Sequence, residues 1–168
     1  FPAWLKVFLP KYVIFVNCPK PQLALYLKRL KIPMEAHMSE PRKKITLPYL
    51  FDKVKKGEPI TWLTCYDYPT AYLQEQAGIE MILVGDSLGM TMLGFDSTLP
   101  VKMDDMIRHA QAVRRGAPTA FVIGDMPYMT YQQSVEAAIL NAGRFMAECG
   151  CDAIKLEGGA AMADRIKG

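Results

Sequence analysis

Three acidic side chains follow three successive apolar segments of the chain, each beside a glycine. Asp86 lies in Val-Gly-Asp-Ser, Asp125 in Ile-Gly-Asp-Met and Glu157 in Lys-Leu-Glu-Gly. In parallel α/β folds the carboxyl ends of the strands form the edge at which ligands bind. Three carboxylates that meet there repel one another unless a cation or a shared proton intervenes. Oxygen ligands of this kind suit Mg²⁺, so the sequence predicts a metal site at Asp86, Asp125 and Glu157.

A lysine accompanies the third acid. Lys155 precedes Glu157 by two residues, so both side chains are expected on one face of a strand, with Ile154 and Leu156 on the other. A lysine and a glutamate that face a protein interior are costly to bury without a role. One acid after a strand is an ordinary turn residue, whereas three in successive units with an inward lysine favour a functional site.

The elements that must position these groups alternate between strand and helix patterns from residue 60 onward. Strands are expected at 60–66, 81–84, 120–123 and 153–156, and helices at 68–77, 103–115, 134–149 and 160–166. Ser134 is expected to cap the third helix and Gly150 to end it, and a glycine-containing loop is expected before residue 103.

Four βα units without hairpin signals predict an α/β fold with a parallel sheet covered by helices. An open doubly wound sheet and a (β/α)8 TIM barrel share this local pattern. A barrel needs about 250 residues. Because only about 110 residues follow residue 60, the barrel interpretation implies a truncated chain with about the first four βα units.

Composition indicates one globular domain. The chain has 168 residues, of which 51% are hydrophobic and 22% charged, and it contains no uncharged apolar run long enough to span a membrane. Its four cysteines are too few and too irregularly spaced for a secreted disulfide framework, so a reducing, cytoplasmic location is expected.

The basic charge of the chain is confined to its first part. Residues 1–37 contain six basic residues and one acid, whereas residues 38–168 contain 14 basic and 16 acidic residues. The segment 1–37 resembles neither a secretory signal nor a mitochondrial transit peptide, although residues 22–30 fit a short amphipathic helix. We interpret it as an unassigned, disordered or non-native leader before a domain at 38–168.

Weaker signals are assigned no chemistry. Cys149 and Cys151 lack a second cysteine pair, so they are interpreted as ordinary thiols. His109 lies in the second predicted helix at a spacing that fits either core or surface. The segment Gly85-Asp86-Ser87-Leu88-Gly89 matches neither a dinucleotide fingerprint nor a phosphate-binding loop.

Six segments together resemble the ketopantoate hydroxymethyltransferase family in order and spacing. They are Thr-Cys-Tyr-Asp-Tyr at 64–68, Val-Gly-Asp-Ser-Leu-Gly-Met at 84–90, Gly-Phe-Asp-Ser-Thr-Leu-Pro at 94–100, Arg-Arg-Gly-Ala-Pro at 114–118, Asp-Met-Pro-Tyr at 125–128 and Lys-Leu-Glu-Gly-Gly at 155–159. The resemblance runs from about residue 45 to residue 168. It does not include residues 1–37.

This resemblance implies a fold, an activity and a set of site residues. The implied protein is a (β/α)8 barrel that transfers a hydroxymethyl group from 5,10-methylenetetrahydrofolate to 3-methyl-2-oxobutanoate, giving ketopantoate for pantothenate and coenzyme A synthesis. Asp86, Asp125 and Glu157 match the family's Mg²⁺ ligands. Ser87, Asp125 and Lys155 match its ketoacid-binding positions, with the Asp86 backbone nearby. The family also forms large homo-oligomers, typically decamers, and implies neither a nucleic-acid nor a membrane partner.

The resemblance also implies that the proton-accepting residue of the family is absent from this chain. The family's proposed proton-accepting glutamate lies on a later strand, so no catalytic base is expected before Gly168 and the chain alone is expected to be nearly inactive. Two other enzyme classes remain open: Mg²⁺-dependent ketoacid lyases of the isocitrate lyase and phosphoenolpyruvate mutase type, and Schiff-base aldolases with Lys155 as nucleophile. The non-enzymatic alternative is an inactive fragment.

Overall fold

The computed structural model describes residues 42–168, together with the backbone of two earlier strands. The chain divides into two units, Phe1–Arg42 and Lys43–Gly168. In the first unit, β1 (Trp4–Leu9) and β2 (Tyr12–Asn17) pair antiparallel. The helix predicted at 22–30 lies outside the described residues, and both the interpretation of residues 1–37 as a leader and the boundary at residue 38 stay predictions.

The second unit contains a parallel sheet with its strands adjacent in chain order. These strands are β3 (Trp62–Thr64), β4 (Met81–Val84), β5 (Phe121–Asp125) and β6 (Ala153–Lys155). The parallel α/β prediction is confirmed, and the bounds predicted for β4 agree with the structure. The first predicted strand was too long, because β3 includes only three residues of 60–66.

Helices connect the strands and flank the sheet. They are α1 (Leu47–Lys56), α2 (Tyr68–Gln76), α3 (Leu88–Thr91), α4 (Met103–Gly116), α5 (Val135–Arg144) and α6 (Ala163–Lys167), with a π-helical turn at Phe145–Cys149 and a 3₁₀ turn at Gly159–Met162. None of the helices within residues 42–168 is long and apolar enough to cross a membrane.

Four helix expectations needed correction. The sequence did not predict α1, and the loop expected before residue 103 contains the one-turn helix α3. The single helix predicted at 134–149 is an α-helix followed by a π-helical turn, and the helix expected at 160–166 begins with a 3₁₀ turn. The predicted cap is confirmed, since the Ala137 N–H donates to Ser134 Oγ at 3.1 Å, and Gly150 ends the π-helical turn at φ 64°.

The outer face of the sheet packs against the helices. Ile82, Val84 and Val122 are fully buried there, beside the apolar face of α4 that includes Met106 and Val113. Residues two apart on a strand share a face, so this pattern leaves the alternate residues on the inner face.

A second apolar cluster lies on the inner face and includes α1. Phe121 and Ile123 of β5 pack with Leu50 of α1 and with Ile45. Asp125 and Lys155 continue the inner-face alternation of β5 and β6 beyond this cluster. The sheet therefore presents an apolar inner surface near the start of its strands and a charged one at their carboxyl ends.

Candidate functional site

A buried carboxylate and a lysine form the centre of the site. Lys155 Nζ donates to both oxygens of Asp125, at 2.8 and 2.7 Å, and to Glu157 Oε1 at 2.6 Å. Asp125 is 2% exposed, whereas the Glu157 side chain is 68% exposed. Ile154 and Leu156 pack against the helix cluster, as the alternation predicted. The carboxyl ends of β5 and β6 thus bring together three of the predicted site residues.

The end of β4 contributes Asp86 and Ser87 to the same edge. The Asp86 N–H donates to Asp125 Oδ2 at 3.3 Å. An ideal Cβ built on Gly85 would lie 2.9 Å from Ser87 Oγ and 3.7 Å from Asp125 Oδ2. A methyl group at position 85 would force Ser87 Oγ to move, whereas Asp125 Oδ2 lies at an ordinary contact distance, so the glycine leaves room for the Ser87 hydroxyl.

Burial and charge act in opposite directions on the central pair. Burial raises the pKa of the Asp125 carboxyl, and the bonds from Lys155 do not fully offset this effect. Burial alone would lower the pKa of Lys155, but its bonds to Asp125 and Glu157 outweigh that penalty and raise it. The lysine is therefore an ammonium at neutral pH, and it partly balances the negative charge at this edge.

The acidic residues match Mg²⁺ in their chemistry. Asp86, Asp125 and Glu157 offer the carboxylate oxygens that this ion prefers. Within residues 42–168, however, no three His, Cys, Asp or Glu side chains converge closely enough to hold a metal. The Lys155 ammonium stands between Asp125 and Glu157, so an ion held by all three acids would compete with it for both carboxylates.

The sequence did not identify two tyrosines that contact predicted site residues. Tyr66 Oη lies 2.8 Å from Ser87 Oγ. The Tyr131 hydroxyl donates to the Glu157 carbonyl oxygen and accepts from its N–H, both at 3.1 Å. Tyr66 lies within one of the six resembling segments, but no local spacing indicates either contact, because each joins residues more than 20 positions apart.

The residues to which the sequence assigned no chemistry make contacts that stabilise the fold or are buried in it. His109 Nδ1 donates to the Tyr66 carbonyl oxygen at 2.5 Å, which joins α4 to the end of β3. Cys149 and Cys151 are buried free thiols, as expected.

Solved structures share the fold at low sequence identity. Oxaloacetate acetylhydrolase is 12% identical with a TM-score of 0.54, over 74% of this chain and 47% of that protein. 2,3-Dimethylmalate lyase, a member of the PEP mutase/isocitrate lyase superfamily, is 14% identical with a TM-score of 0.54, over 71% of this chain and 46% of that protein. The fold is therefore that of a (β/α)8 barrel, represented here by four βα units with a charged cluster at the carboxyl ends of the strands.

Sequence similarity identifies the family within this class. The family model described as ketopantoate hydroxymethyltransferase matches residues 44–168, and the chain belongs to this family. Curated relatives named 3-methyl-2-oxobutanoate hydroxymethyltransferase include those of Syntrophus aciditrophicus (strain SB), 55% identical over 74% of this chain, and Alkaliphilus metalliredigens (strain QYMF), 60% identical over 68%. The aligned parts are 46% and 41% of those proteins, so the chain spans less than half the length of these relatives.

Proposed function

We propose that this chain carries the metal- and ketoacid-binding part of an enzyme that transfers a hydroxymethyl group from 5,10-methylenetetrahydrofolate to 3-methyl-2-oxobutanoate, giving ketopantoate. The observation that carries the proposal is the Lys155 ammonium bound to the buried Asp125 and to Glu157 at the carboxyl ends of β5 and β6. The 55–60% identity to relatives named for this reaction supports the choice of substrate.

The site residues would act on the ketoacid through their charges and through hydrogen bonds. The family resemblance assigns Mg²⁺ to Asp86, Asp125 and Glu157, although these carboxylates do not converge in this structure, and the ion when bound would supply Lewis-acid polarisation of the ketoacid carbonyl. Lys155 would stabilise the negative charge that develops on the ketoacid oxygen as the C3 proton leaves. Ser87 would donate a hydrogen bond from its hydroxyl to a ketoacid oxygen. The proton acceptor is proposed to lie on a later strand of the family's barrel, so the 168-residue chain is expected to turn over little on its own.

The alternative chemistries receive less support. The likeness to 2,3-dimethylmalate lyase is one of fold at 14% identity, whereas the similarity to hydroxymethyltransferases is one of sequence. A Schiff base needs a neutral lysine, and the raised pKa of Lys155 keeps this side chain protonated. Borohydride trapping with the ketoacid should therefore leave Lys155 unmodified.

The direct test follows deuterium loss from C3-labelled 3-methyl-2-oxobutanoate by NMR in the presence of Mg²⁺. It uses this chain and a version extended, with the remaining sequence of a relative, to full barrel length. We expect C3 exchange in the extended protein. The Asp86→Ala variant should lose this exchange, whereas the control variant Asp52→Ala, on the exposed surface of α1, should retain it. Absence of exchange in both proteins, even with the folate added, would contradict the proposed reaction.

Assembly and location follow from the same proposal. The family resemblance supports a cytoplasmic homo-oligomer with small-molecule substrates. Sedimentation of the extended protein would test the decamer that the resemblance implies.

A further inference from the structure

Tyr66 occupies a firmly held position just after β3. The N–H of the preceding residue, Cys65, donates to the Leu83 carbonyl oxygen at 3.0 Å and extends the pairing of β3 with β4. The Tyr66 carbonyl oxygen accepts from His109 Nδ1 on α4 at 2.5 Å. Its ring is partly buried against the outer core cluster. The phenol therefore reaches its partner from a backbone fixed by two elements.

The partner of this phenol is a serine whose side chain does not cap the helix that follows it. Ser87 is the residue before the first turn of α3, a position at which serine commonly accepts a hydrogen bond from a backbone N–H of the helix. Its side chain makes no such bond here. Ser87 Oγ instead lies 2.8 Å from Tyr66 Oη.

The pair lies beside the charged cluster. An ideal Cβ on Gly85 has both Ser87 Oγ and Asp125 Oδ2 within 4 Å, as described above. The Tyr66–Ser87 contact therefore extends the polar edge of the sheet from β6 and β5 across β4 to the end of β3.

A count of protons shows what this contact does. Each hydroxyl has one proton, and the hydrogen bond between them uses one of the two. The phenol is the more acidic group, so it is the better donor. When Tyr66 donates to Ser87 Oγ, the Ser87 proton turns away from the phenol and remains for an acceptor outside the pair. An ordered chain of hydroxyls also strengthens each successive bond by polarisation.

We propose that Tyr66 is a positioning residue that orients the Ser87 hydroxyl toward an anionic oxygen of the bound ketoacid. The inference rests on the proposed function for the ligand, and on the Tyr66–Ser87 contact for the role. His109 supports this role by fixing the backbone of Tyr66.

The test is a double-mutant cycle with Tyr66→Phe, Ser87→Ala and the double variant. Tyr72→Phe is the matched control, because this tyrosine is half-exposed on α2 and its ring stacks on Tyr68. Two quantities are measured for each protein: the melting temperature without ligand, and the calorimetric Kd for 3-methyl-2-oxobutanoate with Mg²⁺ below the melting transition.

We expect Tyr66→Phe and Ser87→Ala each to weaken ketoacid binding about tenfold, which corresponds to the loss of one ordered hydrogen bond to a charged group. The double variant should bind no more weakly than Ser87→Ala, because Tyr66 acts through the serine. The single variants should also lower the melting temperature by a few degrees, about 2–4 °C, with shifts that do not add. Tyr72→Phe should leave the Kd unchanged.

Two results would overturn the positioning role. One is an unchanged Kd for Tyr66→Phe when the unmutated chain binds the ketoacid. The other is a loss of affinity on Tyr66→Phe that is as large in the Ser87→Ala background as in the unmutated chain. Such a loss would indicate a general structural effect of the substitution. If the unmutated chain does not bind the ketoacid, the proposed ligand fails and the positioning role fails with it, while the melting temperatures still decide whether the two hydroxyls are coupled.

Discussion

At the scale of single residues, the central feature is a carboxylate removed from water and held by one cation. Burying Asp125 is costly unless its charge is balanced. Lys155 supplies that balance through two bonds below 3 Å, and the opposing burial still raises the pKa of Asp125. The pair therefore serves the site more than it serves stability, since a neutral pair of similar shape would avoid the cost of desolvation.

Replacing Lys155 by methionine tests this account. Lys155→Met leaves the Asp125 charge uncompensated, so we expect a loss of about 1–3 kcal/mol in the free energy of unfolding at neutral pH, measured with urea. In the protein extended to barrel length, C3 exchange should fall by about 10²–10³-fold.

The matched controls separate charge from packing. Lys167→Met, at the exposed end of α6, should change neither quantity. Adding Asp125→Asn to Lys155→Met should restore most of the stability but none of the exchange. A double variant as unstable as Lys155→Met would show that packing, and not the uncompensated charge, causes the loss.

A second ionised group lies at the opposite ends of the strands and has a structural role. Glu80, which precedes β4, accepts bonds from Lys53 Nζ at 2.6 Å, from Tyr49 Oη at 3.0 Å and from the Thr61 N–H at 2.9 Å. Burial opposes its ionisation, but these bonds, that of Lys53 foremost, lower the pKa of the Glu80 carboxyl from 4.5 to about 2. The ionised carboxylate thus ties α1 to the strands.

This depressed pKa predicts a loss of stability in acid. The folded state binds fewer protons than the unfolded state between about pH 4.5 and pH 2, so the contribution of Glu80 is complete above pH 4.5 and falls as the pH falls toward 2. We expect the contribution to be on the order of 2 kcal/mol, after an allowance for solvent screening of its partners at the edge of the unit.

Urea unfolding as a function of pH measures this contribution. Glu80→Gln should be less stable than the unmutated chain at neutral pH, and the difference should narrow as the pH falls through the same window. Glu58→Gln, at an exposed carboxyl, should show no such narrowing. A constant difference between Glu80→Gln and the unmutated chain at every pH would contradict the role of ionisation.

At the scale of elements, the packing of β5 against the turn after α5 depends on a missing side chain. Phe145 is fully buried and lies against the backbone of Gly124. An ideal Cβ on Gly124 would lie 2.5–2.8 Å from three atoms of the Phe145 ring. The glycine at this position therefore allows β5, whose next residue is Asp125, to sit close to the helical layer.

The pair Gly124→Ala and Gly143→Ala tests this packing with the same chemical change. We expect Gly124→Ala to destabilise the protein by about 1–3 kcal/mol, because the added methyl group displaces a rigid ring. Gly143 lies in α5 with no atom within 4 Å of an added Cβ. Gly143→Ala should therefore stabilise the protein by about 0.5–1 kcal/mol through helix propensity.

Urea unfolding gives both free energies. Adding Phe145→Leu to Gly124→Ala should recover part of the loss, since the smaller side chain vacates the space that the methyl group needs. A tolerated Gly124→Ala, with stability equal to that of the unmutated chain, would show that β5 does not depend on this close approach.

At the scale of the whole molecule, the four-stranded sheet has two edges within residues 42–168. β3 forms one of them, and its Trp62 and Leu63 side chains are 53% and 47% exposed. In a closed barrel the first strand pairs with the last, which removes both edges. Exposed apolar strand edges favour association with other chains.

We therefore expect the 168-residue chain to bind a hydrophobic dye and to self-associate at micromolar concentration, as measured by fluorescence and sedimentation. The version extended to barrel length should lose both properties and gain C3 exchange, because closure covers β3 and supplies the proposed proton acceptor. Leu63→Lys should reduce the self-association of the 168-residue chain, since a charged residue on an edge strand disfavours further pairing. Equal dye binding by both versions would contradict barrel closure across β3.

Local patterns were sufficient for most of the strands and helices. The run 81–84 predicted β4 because a buried parallel strand is continuously apolar, and Ser134 and Gly150 marked a helix start and stop through backbone hydrogen bonding and a positive φ. Helix α1 was missed because its one buried residue, Leu50, packs on residues of β5 about 70 positions later. No short-range pattern carries that information.

The site likewise has features that the sequence predicted and contacts that depend on residues far apart in the chain. Strand alternation and the family resemblance were enough to predict Asp86, Asp125, Lys155 and Glu157 at the ends of the strands. The bond from Lys155 to Asp125 at 2.7 Å and the contact of Tyr66 with Ser87 became evident only in the folded protein. The physical reason is distance along the chain: these contacts join different strands, so they exist only after the sheet has assembled and burial has set the strength of each charge.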